Sequence, residues 1–215
     1  MAPTRPLAAG VLIAVASGGL GVTTSEAWTQ RQPAAPPRRL VTTTVACASD
    51  LGQGVTSRRR YCDVIIAKTA AASVEMPIPA HTGPATLSFD LHNRFTVPPA
   101  GTPAANAFVR AVAVVAVVRP MGQIIERVAV RREFRSVQDV FDRIGGGPSS
   151  ASVKAVAPGH PESLKVTIPA GVASIGIVGL RLESATLAAP RQVSDAPGRP
   201  VALVSNLRIE YVAAR

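Results

Sequence analysis

The sequence predicts an all-β fold, an antiparallel β-sandwich of about nine or ten short strands with one short helix. From residue 40 onward, apolar and polar residues alternate in short runs, which is the period of a half-buried strand. Turn-forming glycines and prolines separate the runs, and only one segment has helical spacing. Short strands with turns between them are typical of a sandwich, and a closed β-barrel is the alternative.

Four runs predict the strands in the first half of the domain: VTTTVAC (41–47), YCDVIIA (61–67), SVEMPI (73–78) and ATLSFDLH (85–92). The last alternates most regularly, with Leu87 and Phe89 on one face and Asp90 and His92 on the other. The apolar face is expected to pack in the core. The polar face is expected to meet water, as one side of an antiparallel sheet commonly does.

The second half of the domain begins with a predicted hairpin. Residues 107–118 are apolar on both faces, as in a central strand covered on both sides. RPMG (119–122) has proline and glycine where a type I turn prefers them, and 123–134 then resumes the alternation. A change of phase near Gly179 indicates a β-bulge, and a proline-rich loop is expected at 189–200. Further strands are predicted at 152–157, 163–168, 172–183 and 201–212.

One segment, SVQDVFDRIGGG (136–147), predicts a helix of about two turns. Ser136 and Asp139 have the spacing of a capping box, and a glycine run follows where a helix C-cap belongs. The apolar residues between them recur at helical spacing: Val137, Val140, Phe141 and Ile144. This is the one short helix of the predicted sandwich.

The N-terminus up to Ala27 has the pattern of a secretory signal peptide. Arg5 precedes the uncharged, mostly apolar stretch 7–22, and small residues stand at the −3 and −1 positions of a cut after Ala27. A retained membrane anchor is the alternative, although the stretch is short for a spanning helix. Cleavage would leave a Pro/Arg-rich mobile leader at 28–39 and a single domain at 40–215, with no transmembrane span. The protein is therefore expected to be secreted or periplasmic.

The two cysteines, Cys47 and Cys62, are expected to form a disulfide bond. An exported chain enters an oxidising compartment, where an even number of cysteines favours pairing. Such a bridge closes a short loop and stabilises a fold by about 3 kcal/mol, chiefly by restricting the unfolded chain. The alternative is a pair of buried free thiols.

Basic residues exceed acidic ones, with 23 Lys+Arg against 13 Asp+Glu and a formal net charge of +10. This charge predicts attraction to anionic polymers or lipid head groups of the envelope. The candidate residues fall in two clusters: Arg58, Arg59 and Arg60, and Arg131, Arg132 and Arg135. The alternative is that these arginines keep sheet edges from pairing with other chains. No nucleic acid is expected as a partner, because aromatic residues that could stack on bases make up 4% of the chain.

Residues 80–95 contain two of the three histidines and form the candidate site for chemistry. Asp90 and His92 are two positions apart on one strand, so they share a face with their Cα atoms about 6.5–7 Å apart. His81, across a turn, would complete a set of ligands suited to zinc or iron. The solvated strand face is the favoured interpretation, because metal sites usually draw ligands from several strands. No cofactor is expected under that interpretation.

These observations predict an exported, non-catalytic β-sandwich that acts as a structural or interaction module of the cell envelope or extracellular space. Its partner is expected to be an unidentified protein or envelope component, and the sequence does not define its oligomeric state. The first alternative is a basic-surface binder of anionic polymers or lipid head groups. The second is a metal-dependent enzyme that uses His81, Asp90 and His92. No G-x-S-x-G motif for a nucleophilic serine is present.

Overall fold

Strands dominate the computed structural model, which describes residues 35–95, 101, 108–145 and 153–214. These residues form fourteen strands: β1 (Arg38–Thr42), β2 (Ala46–Cys47), β3 (Asp50–Gln53), β4 (Arg60–Ile65), β5 (Val74–Pro77), β6 (Ala85–Asn93), β7 (Val109–Val118), β8 (Ile124–Phe134), β9 (Val140–Ile144), β10 (Ala155–Pro158), β11 (Glu162–Ile168), β12 (Ser174–Thr186), β13 (Gln192–Ser194) and β14 (Pro200–Val212). Two short 3-10 helices lie at Ala70–Ala72 and Val137–Asp139. The predicted signal peptide and most of the predicted leader lie outside the described residues.

Two antiparallel sheets carry most of the strands. Sheet I has the order β11-β6-β14-β4-β3, with β1 beside β14. Sheet II has the order β2-β5-β12-β7-β8, with β13 beside β12. The sheets are not closed into a barrel, so the predicted all-β sandwich is confirmed and the barrel alternative is wrong. The strands are more numerous than the nine or ten predicted, because several very short ones lie at the sheet edges.

The core between the sheets is built from the apolar positions that the alternation predicted. Leu87, Phe89 and Leu91 of β6 are at most 1% exposed and belong to one buried cluster with residues of sheet II. Residues of sheet II in that cluster include Val115 of β7 and Ile177 of β12. Burial of these side chains removes apolar surface from water and supplies the main stabilisation of the sandwich.

The chain crosses from one sheet to the other within the segment predicted as a single strand at 41–47. Its first part, β1, pairs with β14 in sheet I, whereas β2 pairs with β5 in sheet II. Cys47 of β2 and Cys62 of β4 form the predicted disulfide, with their Cα atoms 5.8 Å apart. The disulfide therefore ties sheet II to sheet I beside the crossing.

The hairpin of β7 and β8 confirms the turn predicted at 119–122. The Gly122 N–H donates to the carbonyl of Arg119, and glycine is favoured at this position because its φ is +92°. The bulge predicted near Gly179 is also present, as a register shift between Gly179 and Arg181. The predicted loop at 189–200 includes the short strand β13.

The helix predicted at 136–147 is wrong beyond its first turn. The capping box is present. The Ser136 hydroxyl accepts a hydrogen bond from the Gln138 N–H, and the Asp139 carboxylate accepts one from the Ser136 N–H. The chain then becomes strand β9, in which Asp142 and Ile144 are buried and Arg143 is exposed. This period of two matches pairing with β10, so tertiary packing overrides the local helical spacing.

The β9–β10 hairpin forms a third layer on the outer face of sheet I. Ile144 and Ala157 of the hairpin share a buried cluster with Tyr61 and Leu203 of sheet I. Residues Pro36–Arg215 form one compact unit, and its first strand starts at Arg38, two residues before the predicted domain boundary. None of the helices in the described residues is long and apolar enough to span a membrane.

Candidate functional site

The polar face of β6 is buried at its C-terminal end, at Asp90 and His92, so the solvated strand face expected from the sequence is wrong there. The two polar positions before them on the strand are half-buried. Asp90 is 4% exposed and His92 is 1% exposed. The physical reason is the third layer: the ring of Phe141 in β9 stacks on the His92 ring with their centroids 5.3 Å apart. The Tyr61 ring lies on another side of His92, at 6.1 Å between centroids.

Asp90 is held by side chains from three other segments of the chain. Its carboxylate accepts from Nη1 of Arg59 at 2.6 Å, from Oγ of Ser163 at 2.6 Å and from Nδ2 of Asn206 at 3.1 Å. Hydrogen bonds to a charged group are about twice as strong as neutral ones. This carboxylate therefore joins β6, β11, β14 and the β3–β4 loop, and three of its roughly four acceptor sites are occupied within the protein.

His92 is uncharged at neutral pH in this environment. Burial lowers the pKa of its imidazole to about 4, because the charged form loses its hydration. The nearby Pro158 carbonyl and Asp90 oppose this shift, although neither ring nitrogen makes a hydrogen bond of good geometry to any described residue. The ring packs mainly as an aromatic group between Tyr61 and Phe141.

The predicted metal ligands do not come together. His81 lies outside β6, where its Nδ1 contacts the Pro79 carbonyl at 2.9 Å and its backbone bridges to Ala213. Within the described residues, no three His, Cys, Asp or Glu side chains are placed where they could share a metal ion. Asp90 and His92 remain neighbours on β6, but Asp90 is engaged by three internal hydrogen bonds.

A second buried carboxylate, Asp142 of β9, was not singled out from the sequence. It is 1% exposed and accepts from the backbone N–H groups of Thr56 and Ser57 at 2.9 and 3.1 Å. The Tyr61 hydroxyl donates to it at a longer 3.4 Å. Asp142 thus fastens the β3–β4 loop to the covering hairpin. Its neighbours in sequence have helical spacing, which hid the strand periodicity that would have marked it as buried.

The first arginine cluster is engaged in ion pairs on the side of sheet I. Arg59 pairs with Asp90, and Arg60 donates from Nε and Nη2 to the two carboxylate oxygens of Asp50. This guanidinium lowers the pKa of the Asp50 carboxyl. Arg58 has a positive φ of +59° and makes no ion pair with any residue that the structure describes.

The second arginine cluster is divided by the alternation of β8. Arg131 pairs in register with Val112 and points to the outer side of sheet II, whereas Arg132 points the other way and pairs with Glu162 at 2.9 Å. Arg135, just after β8, pairs with Glu133 and lies 5.4 Å from the ring centroid of Phe108. The two clusters of the sequence therefore do not form one surface.

Sheet II instead brings together arginines that are far apart along the sequence. The outer side of this sheet and its rim, termed here the basic face, contain Arg110, Arg127, Arg131, Arg135, Arg181 and Arg191. Three glutamates lie on the same side of the sheet: Glu75, Glu133 and Glu183. Arg127 and Arg131 make no ion pair within the described part of the chain and are exposed. The sequence did not reveal this face, because its arginines come together only through the pairing of strands that are distant along the chain.

An all-β sandwich with a disulfide between its sheets is the class of protein that these features define. No family model matches the chain, and no curated protein matches it. A chain in the structure of infectious bursal disease virus, Gx strain, is similar at 9% identity with a TM-score of 0.21. The similarity covers 83% of this chain and 43% of that one. A score this low does not establish a shared fold.

Proposed function

We propose that the protein is an exported, non-catalytic interaction module of the cell envelope or extracellular space, and that it binds an anionic polymer through the basic face. The observation that supports this proposal is the composition of that face, six arginines against three glutamates. Guanidinium groups recognise carboxylates and phosphates through paired hydrogen bonds. The inter-sheet disulfide suits an oxidising compartment outside the cytoplasm.

The shape of the basic face favours a polymer over a lipid surface. Val112 and Val114 at its centre are half-buried between neighbouring strands, so they do not project as an apolar wedge. Val193 at its rim is 56% exposed and lies beside Glu183, and Leu187, directly after β12, is 67% exposed. Membrane surfaces are usually entered by larger clusters of Trp, Phe or Leu. A flat sheet with arginines on it fits an extended acidic chain.

The test is binding to polyglucuronate, with dextran as the neutral polymer and phosphatidylglycerol vesicles as the lipid alternative. The variant Arg127→Glu/Arg131→Glu removes the two arginines of the face without ion pairs. We expect about tenfold weaker binding to polyglucuronate at low ionic strength, and a smaller difference as salt is added.

The matched control is Lys165→Glu/Arg208→Glu, which changes the net charge equally on the exposed outer side of sheet I. This variant should retain most of the binding. Equal losses in both variants would show that total charge, and not the basic face, attracts the polymer. Binding to the vesicles but not to polyglucuronate would support the lipid alternative, and binding to neither would refute the proposal.

A further inference from the structure

A cavity of about 400 Å³ lies where the chain crosses from sheet I to sheet II. Its polar lining consists of the three consecutive threonines 42–44, Arg59, Arg60 and Asn206. Val45, Leu207 and the disulfide-bonded Cys62 form its apolar part. No carboxylate is among its lining residues within the described chain. Pockets of this size with a few converging polar groups are typical of sites for small molecules.

Two aspartates outside the lining form hydrogen bonds to Arg59, Arg60 and Asn206 of the cavity. Asp90, almost fully buried, binds both Arg59 and Asn206, while Asp50 binds Arg60 through two hydrogen bonds. A guanidinium has five N–H donors, so each arginine retains donors for a ligand after pairing with its aspartate. The cavity thus presents fixed donors, which reduces the entropy that a ligand must lose on binding.

One residue of the cavity lining has a buried polar atom with no partner among the described residues. Oγ1 of Thr43 is buried and makes no hydrogen bond to any described residue. A buried hydroxyl without a partner costs about 1–3 kcal/mol in general, so such groups usually mark an absent partner. Thr43 itself lines the cavity, so a rotation of its side chain would turn this hydroxyl toward a ligand atom.

Unusual backbone conformations occur at the same place. Two non-glycine residues of the described chain have positive φ: Arg58 at +59° and Asn206 at +55°. Asn206 lines the cavity and Arg58 directly precedes Arg59, which also lines it. Asparagine tolerates this conformation, but arginine rarely adopts it. Such conformations concentrate at ligand sites, where the surrounding structure maintains them.

We propose that this cavity is a binding site for a small hydroxylated carboxylic acid of the size of a sugar acid. The arginines and Asn206 would donate to the carboxylate, the threonine hydroxyls would exchange hydrogen bonds with ligand hydroxyls, and Val45 and Leu207 would contact the carbon skeleton. The site lies apart from the basic face and does not rest on the function proposed above. Its arginines differ from those of that face, so the two proposals fail independently.

The experiment is a calorimetric titration of the full chain with glucuronate, and with glucose and inorganic phosphate as comparison ligands. We expect glucuronate to bind, and glucose and phosphate to bind at least about tenfold more weakly, because each lacks one of the two recognised chemistries. The variant Arg60→Gln should weaken glucuronate binding by about tenfold, and Thr43→Val by about fivefold.

The matched control is Arg38→Gln. Arg38 is also on an exposed surface and pairs with Glu210 at 3.3 Å, but it does not line the cavity. It should leave glucuronate binding unchanged, and unchanged melting temperatures of all three variants would show that they remain folded. The proposal is overturned if glucuronate does not bind at millimolar concentration, if phosphate binds equally well, or if Arg38→Gln weakens binding as much as Arg60→Gln.

Discussion

Both faces of β6 are buried toward its C-terminal end, but by different chemistry. On one face, Leu87 and Phe89 pack against sheet II in an apolar core. On the other, Asp90 and His92 lie beneath the β9–β10 hairpin. The alternation of apolar and polar residues therefore identified the register of the strand correctly. It did not show whether the polar side meets water, because that depends on which distant segment covers it.

The two faces should respond differently to substitution. Apolar contacts are not directional, so the inner face depends mainly on volume and on the area removed from water. The outer face depends on the completion of hydrogen bonds, because a buried polar group left without a partner is costly. The following predictions compare these two kinds of burial.

The largest effect is expected from Phe89→Ala on the inner face. Removing a fully buried aromatic ring loses its transfer free energy and leaves a cavity, so unfolding should require about 4 kcal/mol less free energy. Urea denaturation measures this change. Met121→Ala, at a side chain that is 87% exposed, is the control and should change stability by less than about 0.5 kcal/mol. Similar values for both variants would argue against the placement of Phe89 in the core.

Asp90→Ala on the outer face should cost about 3 kcal/mol. The substitution leaves Arg59, Ser163 and Asn206 without their common acceptor. The same denaturation measurement applies, with Asp195→Ala as a control at an exposed acid that makes no ion pair within the described chain. If Asp90→Ala were as mild as the control, the polar face would be open to water.

Acid should destabilise the outer face through His92. Its pKa is lowered to about 4 in the folded protein, so the unfolded chain binds the proton first as pH falls below about 6.5. The neutral, buried His92 contributes fully to the free energy of unfolding above that pH, and this contribution is lost progressively as the pH falls toward 4. We expect a loss of about 2 kcal/mol between pH 6.5 and 5.

His92→Leu should remove this pH dependence, because leucine carries no titrating group. The comparison is best made above pH 5, where carboxyls with lowered pKa values such as Asp50 have not begun to protonate. Equal slopes of stability against pH for the variant and the wild-type protein would exclude His92 as the group responsible.

The smallest effect is expected at Ser205, the cross-strand neighbour of Asp90. Ser205 is fully buried, yet its hydroxyl makes no hydrogen bond to the described residues. Ser205→Ala removes a polar group without depriving a partner, so the change should lie within about 0.5 kcal/mol or be slightly stabilising. A loss comparable to that of Asp90→Ala would indicate a hydrogen bond that the structure does not contain.

Much of the fold could be predicted because its main strands are amphipathic or wholly apolar. The inward positions of β6 and β11, the β7–β8 turn and the bulge near Gly179 all follow from local pattern. The split of 41–47 between two sheets does not, because Val41, Val45 and Cys47 keep one alternating pattern across the crossing. Only pairing with β14 and then β5 shows that the chain changes sheet.

The candidate site was predicted only in part. The Cys47–Cys62 pairing followed from the export pattern and the even number of cysteines. The link from Arg59 to Asp90 spans 31 positions and that from Asn206 to Asp90 spans 116, so neither has a local signal. The same holds for the basic face, whose arginines come from β7, β8, β12 and adjoining loops.

Titration of His92 by NMR tests whether the β9–β10 hairpin seals the C-terminal end of the polar face of β6, at Asp90 and His92. The measurement follows the imidazole resonances of the wild-type protein across the acid range, assigned by comparison with His92→Leu. Burial between Tyr61 and Phe141 predicts that His92 titrates with a pKa of about 4. A pKa near 6.5, the value of a solvated histidine, would contradict the account.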